Sequence, residues 1–150
     1  MKEQSDEAVT VRVKFLSEDA KLPQAAKPGD VAFDLHSVIE TTLEPGERQA
    51  IPTGLIMEIP PGYEGQVRPR SGLALRKGLS VVNSPGTIDS GYRGEVKVIV
   101  INHGKDPFTI TKGMRICQLA IRSVPRVRFE AAEEISDSER GAGGFGSTGV

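Results

Sequence analysis

The stretch Asn83–Gly94 reads N-S-P-G-T-I-D-S-G-Y-R-G. Its Pro85-Gly86 pair and Gly91 are turn punctuation, and runs rich in β-branched residues flank it, Leu79–Val82 before and Glu95–Ile101 after. This pattern predicts a β-hairpin with the carboxylate of Asp89 near its tip and the ring of Tyr92 three residues on. A hairpin tip offers peptide N–H and C=O groups that no strand partner uses. Such groups can read the polar edge of a small planar ligand, with an aromatic ring packed against it. The same residues also suit an ordinary tight turn with Asp89 as a turn former. The stretch alone leaves both readings open.

Outward from this hairpin the chain alternates in the same way. Val9, Val11, Val13 and Phe15 interleave with Thr10, Arg12 and Lys14, which predicts a half-buried strand after a polar, frayed start over residues 1–8. Pro23 to Asp30 reads as loop. Val31, Phe33 and Leu35 predict a second strand, with Asp34 facing away from the side they bury. Pro45-Gly46 marks a turn, and Leu55, Met57 and Ile59 predict a strand closed by Pro60-Pro61-Gly62. Leu73, Ala74 and Leu75 favour one short helical turn that Ser71 can cap. The Glu95–Ile101 run predicts a strand buried on both faces apart from Lys97. Asn102 to Asp106 reads as a turn, and short strands follow at Phe108–Ile110 and Met114–Ile121, with Pro125 bending the chain before Val127 and Phe129. Many short strands and at most one brief helix predict an all-β fold, sandwich or barrel-like. Residues 1–139 form the β-domain and residues 140–150 a Gly-rich tail of the same single domain.

Composition narrows the function classes. At 150 residues the chain is one domain that can close a core without disulfides. Its 19 basic and 20 acidic residues leave a net charge of −1, which argues against nucleic-acid or membrane partners. No apolar run reaches the roughly 20 residues of a membrane span, and no signal-peptide pattern opens the chain. The single Cys117 suits a reducing cytoplasm and a packing role in a strand. With two histidines and one cysteine, the chain gives no plausible protein-built zinc site.

Several residue groups suit anion chemistry. Arg70, Ser71 and the Gly72 amide put donors on a tight turn, and a helix start there adds unpaired N–H groups; exposed arginines on a capped helix are the plainer reading. Five acids over residues 130–139 make a solvated connector. Five glycines in the last ten residues then let the backbone approach a phosphate closely, with Arg140 to grip it and Phe145 to stack on a base. This segment lacks the Gly-Lys-Ser/Thr ending of a P-loop, and as a composition it equally describes an unordered tail. Magnesium keeps waters and binds through substrate phosphates with few carboxylates. Asp34 is the candidate to accept from a metal-bound water, or is simply a surface carboxylate beside a turn.

Five segments, V-A-F-D-L-H-S at 31–37, R-P-R-S-G-L-A at 68–74, the 83–94 stretch, R-I-C-Q-L at 115–119 and R-G-A-G-G-F-G-S-T-G at 140–149, together resemble the trimeric dUTPases. The likeness runs from about Val31 to Gly149. It implies a distorted jelly roll, β-clip-like, with a flexible C-terminal arm. It also implies hydrolysis of dUTP to dUMP and pyrophosphate, which keeps uracil out of DNA and supplies dUMP for thymidylate synthesis. By motif match, Asp89 would orient and deprotonate the water that attacks the α-phosphorus, with magnesium (Mg2+) assisting. Asn83, the backbone of Thr87, Ile88 and Asp89, and Lys97 would line the deoxyuridine pocket. Tyr92 would pack under the deoxyribose and exclude a 2′-hydroxyl. Arg70, Ser71, Gly72 and Gln118 would hold phosphates, and Arg140, Phe145 and Gly146 would close over the nucleotide. A cytoplasmic homotrimer with sites shared between subunits is implied. Ala32-Phe33 stands where the family often carries small residues, which bears on Asp34. The rival within the superfamily, a dCTP deaminase alone or bifunctional, uses a glutamate after the arginine of the second segment; Ser71-Gly72-Leu73 offers none. A non-catalytic, nucleotide-gated signalling module is disfavoured by the intact Asp89.

Overall fold

The computed structural model describes residues 7–149. The fraying expected at the start therefore lies, up to residue 6, outside the described residues, as does Val150. Eleven strands and one helix follow in order: β1 (Arg12–Phe15), β2 (Phe33–His36), β3 (Thr41–Leu43), β4 (Arg48–Pro52), β5 (Leu55–Glu58), β6 (Tyr63–Arg68), α1 (Ser71–Lys77), β7 (Leu79–Val81), β8 (Gly86–Ile88), β9 (Lys97–Asn102), β10 (Phe108–Ile110) and β11 (Arg115–Ser123). The all-β expectation with a single short helix holds.

All pairings are antiparallel, and the strands fall into four sheets, β1-β5, β10-β3, β2-β11-β6-β8 and β4-β9-β7. One apolar core joins them through Leu35, Leu43, Ile51, Leu55, Met57, Ile59, Val98, Val100, Ile110 and Cys117, each 1 % exposed or less. The Leu55-Met57-Ile59 alternation is borne out in full. So is the turn at Pro45-Gly46, where the Glu47 N–H donates to the Glu44 carbonyl at 2.9 Å.

The decisive stretch is organised differently from a plain hairpin. Its stems do pair: Leu79 lies opposite Asn102 and Val81 opposite Val100, and the Val82 N–H donates to the Ile99 carbonyl at 2.9 Å. Between them, however, Gly86–Ile88 leaves the three-stranded sheet and pairs as β8 with β6, Gly86 opposite Val67 and Ile88 opposite Gly65. The cause is local alternation. Gly86 and Ile88 are buried while Thr87 is exposed, so β8 covers the core with one face and joins two sheets.

Other departures have similar causes. β1 starts at Arg12 rather than Val9 and lies in a two-stranded sheet, so Val9 (42 %) and Phe15 (49 %) remain exposed. Val31 is 67 % exposed because β2 begins only at Phe33. β9 buries Val98 and Val100 but leaves Ile99 exposed, since the core lies on one face of its sheet and not both. Asn102 ends β9 fully buried and also opens the expected turn, its Oδ1 accepting from the Gly104 N–H at 2.8 Å. Ser71 does not cap α1: the cap position is Arg70, in extended conformation with no side-chain cap bond, and Ser71 is the first helical residue. Gly78 closes the helix in the left-handed region (φ 69°), where its N–H reaches the carbonyls of Ala74 and Leu73. Beyond Ser123 no strand or helix forms among the described residues, and Val127 and Phe129 are exposed.

Candidate active site

A cleft of about 380 Å³ opens beside β8, lined in part by Val67, Asn83, Gly86, Thr87, Ile88, Asp89, Tyr92, Glu95 and Lys97. That volume suits a nucleoside-sized ligand. β8 is the edge strand of its sheet, so β6 takes one side of its peptide groups and no strand among the described residues takes the other. Free edge groups are the usual template for a further hydrogen-bonding partner. Here they face a cleft rather than open solvent, next to the Asp89 carboxylate.

The far wall is tied to the core. The Thr53 hydroxyl donates to the Val96 carbonyl at 2.6 Å, and the Gly54 N–H donates to the Glu95 carboxylate at 3.3 Å. The Tyr92 N–H closes a four-residue turn on the Asp89 carbonyl at 3.1 Å. The Tyr92 hydroxyl donates to the Glu95 carbonyl at 2.9 Å, which folds the ring back over Gly94. Tyr92 stays 46 % exposed, with its hydroxyl and its backbone N–H both bonded.

A second cluster forms around Asp34. This carboxylate is buried, not superficial, at 3 % exposure. Its Oδ2 lies 3.4 Å from Arg115 Nη1 and its Oδ1 lies 3.6 Å from Arg70 Nε. Arg70 in turn donates from Nη1 to the Arg115 carbonyl at 3.2 Å. On β11, Gln118 lies opposite Asp34 of β2 on one side and opposite Arg68 of β6 on the other. The phosphate-holding candidates Arg70 and Gln118 thus meet Asp34 at one end of the sheet, with Ser71 and Gly72 following Arg70 on α1. His36 shares this face. Burial, then the Lys21 charge, with smaller contributions from Arg115 and Arg70, hold its pKa below 6.5 against the opposing pull of Asp34. Cys117, fully enclosed, has its thiol pushed up by burial and by the Asp34 charge, as suits a packing role and not a nucleophile.

No group of three His, Cys, Asp or Glu side chains gathers among the described residues. A divalent ion would therefore have to arrive with its own phosphates and waters. One observation fits such an ion: among the described residues Asp34 Oδ1 accepts no hydrogen bond, with Arg70 Nε beside it at 3.6 Å, so its acceptor capacity is unused.

The cleft brings together Asn83, Thr87, Ile88, Asp89, Tyr92 and Lys97. It does not include Arg70, Ser71, Gly72, Gln118, or Arg140, Phe145 and Gly146. The tail is folded on itself: Arg140 Nε donates to the Gly143 carbonyl at 2.8 Å, and Phe145 stands fully exposed with φ 52°. Two participants escaped the sequence reading. Arg115 is brought to Asp34 beside a bulge between Arg115 and Cys117; the consecutive apolar pair Ile116-Cys117 interrupts strict alternation and was its signal. Glu95, which anchors both Tyr92 and Gly54, carried no signal beyond adjacency.

The dUTPase family model matches residues 18–149. A curated relative, the deoxyuridine 5'-triphosphate nucleotidohydrolase of Clostridium acetobutylicum, is 53% identical over 142 residues, covering 95% of this chain and 98% of its own. The corresponding protein of Rhizobium rhizogenes is 56% identical over 133 residues, covering 86% and 85%. Among solved structures, a mutant Staphylococcus bacteriophage 80alpha dUTPase with dUpNHpp superposes with a TM-score of 0.88 at 31% identity, over 94% of this chain and 99% of the other. A mutant phage phi11 dUTPase of S. aureus, described with a structural Mg(II) ion, superposes with a TM-score of 0.77 at 26% identity, over 83% and 97%.

Proposed function

The chain belongs to the dUTPase family and is a dUTP diphosphatase, and we propose that it seats the deoxyuridine in the cleft beside β8 with Asp89 at the scissile bond. The carrying observation is the meeting, in one cleft, of a free strand edge, a carboxylate and a pinned aromatic ring. Uracil carries alternating acceptors and a donor along one edge, which the outward N–H and C=O groups of β8 complement. Asn83 adds a side-chain amide. A 5-methyl group would meet the backbone, and the ring of Tyr92 lies under the deoxyribose, where a 2′-hydroxyl finds no room.

Asp89 accepts a proton from a water as that water forms a bond to the α-phosphorus. The bond to the bridging oxygen of the β-phosphate breaks, and dUMP and pyrophosphate leave. Arg70, Ser71, Gly72 and Gln118 hold the phosphate oxygens, and Asp34 fixes Arg70 beforehand. Bound magnesium would neutralise charge developing on the phosphates, and Asp34 is the carboxylate that would hold it through water. Lys97 borders the nucleoside cleft. Arg140, Phe145 and Gly146 close the site.

These groups lie in three places on one chain, and among the described residues the tail bonds only to itself and to the adjoining Ser138. That separation supports a homotrimer in which different subunits supply cleft, phosphate cluster and tail. No described helix is long and apolar enough to cross a membrane, and the cytoplasm is the proposed location.

The test is Asp89→Asn. It keeps the side chain's shape and removes its basicity, so dUTP binding by calorimetry should persist while turnover falls about 10²–10⁴-fold. Turnover at the parent rate would sink the assignment.

A further inference from the structure

We infer that Gly94 is a specificity-determining residue: its missing side chain sets where the Tyr92 ring sits, and thereby how much room the sugar has at C2′. The inference rests on the reading of Tyr92 as the sugar filter. Its own support is steric. A Cβ placed on Gly94 would stand 2.5 Å from Tyr92 Oη, 2.6 Å from Cζ and 3.0 Å from Cε2. Carbon atoms pack at about 3.5–4.0 Å, so the ring would have to withdraw by about 1 Å.

The glycine is not required by its backbone. Gly94 is absent from the left-handed residues of this chain, unlike Gly78. Alanine is therefore compatible with its conformation, and only the tyrosine objects. The Tyr92 backbone is held in place, its N–H donating to the Asp89 carbonyl at 3.1 Å and its carbonyl accepting from Arg93 Nη1 at 3.1 Å, so the strain falls on the side chain. Among the described residues, the side chain is tethered by one hydrogen bond, from its hydroxyl to the Glu95 carbonyl at 2.9 Å. With 46 % of the residue already exposed, the open direction is solvent. A side chain at position 94 breaks that tether, swings the ring out of the cleft and opens the space a 2′-hydroxyl needs. Gly94 thus acts through Tyr92 and touches no substrate itself.

A double-mutant cycle tests this. The ratio of kcat/KM for dUTP to that for UTP is measured for the parent, Gly94→Ala, Tyr92→Ala and the double variant. A ratio taken on one preparation is insensitive to any inactive fraction. Gly94→Ala should lower it about tenfold or more, and should change nothing further once Tyr92 is alanine. If Gly94→Ala does not fold, Tyr92→Phe, which cuts the same tether to Glu95, should lower the ratio, and an unchanged ratio there overturns the inference. An unchanged ratio in Gly94→Ala, or an equal drop with and without the tyrosine, also overturns it while leaving Tyr92 as the filter. If Tyr92→Ala itself keeps the parent ratio, the reading of the tyrosine falls first and this inference with it.

Discussion

Replacing Asn102 by alanine removes the most heavily bonded buried side chain at the end of the molecule where β9 stops. Its Nδ2 donates to the Leu43 carbonyl and the Asp106 carbonyl, both at 2.9 Å, and its Oδ1 accepts from the Gly104 N–H at 2.8 Å. A net bond contributes about 1 kcal/mol, and an orphaned buried group costs about 1–3. Asp106 is exposed and Gly104 partly so, and water can replace those two bonds. Leu43 is fully buried and its carbonyl has less access to solvent. The sum is about 3 kcal/mol, a large share of the roughly 5–15 that hold a domain together. At 2–4 °C per kcal/mol for a chain of this size, melting should fall by about 6–12 °C. Circular dichroism gives the melting curve, and dUTP turnover at 25 °C should stay within about twofold, because Asn102 does not line the cleft. Asn102→Asp should be worse still, since a carboxylate then faces two carbonyls. An alanine variant melting within about 2 °C of the parent would show that the three bonds do not hold this corner.

Two further outcomes are expected. Deleting residues 140–150 should abolish most turnover while leaving the melting temperature and assembly unchanged, because the tail's described hydrogen bonds reach no further than the adjoining Ser138; a large loss of stability would count against a tail separate from the core. His36 has a pKa below its unfolded value of 6.5. In acid the unfolded chain therefore takes up a proton that the folded chain resists, so the stability associated with this group is complete above pH 6.5 and declines below it. His36→Gln should flatten that acid-side decline in urea titrations run between about pH 5 and 7, and an identical pH profile would remove His36 as a contributor.

Contiguity explains what could be read before the fold was known. Asn83, Asp89 and Tyr92 fall within ten positions of one another, so turn chemistry and strand phase alone gather them. Asp34, Arg70 and Arg115 do not: Arg115 is 81 positions from Asp34 and 45 from Arg70, and it takes the pairing of β11 with both β2 and β6 to bring them together. Alternation identified Leu55, Met57 and Ile59 as buried, but it cannot say whether a second sheet covers the other face. That is why Ile99 was expected inside and lies outside. Ser71 shows propensity overridden by chain path. The strand leaving β6 keeps Arg70 extended, and the helix begins immediately after it, which moves the cap one residue earlier. Val9 and Phe15 alternate as a strand should, yet nothing in their pattern reveals that β1 has a single neighbour.

The short strand that crosses between sheets gives the cleft a mechanical role. A ligand seated along β8 leans on β6 through one ladder and, through the chain on either side, on β7 and β9 in another. Occupancy therefore acts as a rivet across the seam. Amide exchange should slow together in β4 and β11 as well, which lie beyond β9 and β6 and do not line the cleft, and a tight inhibitor would stiffen the whole body rather than one loop.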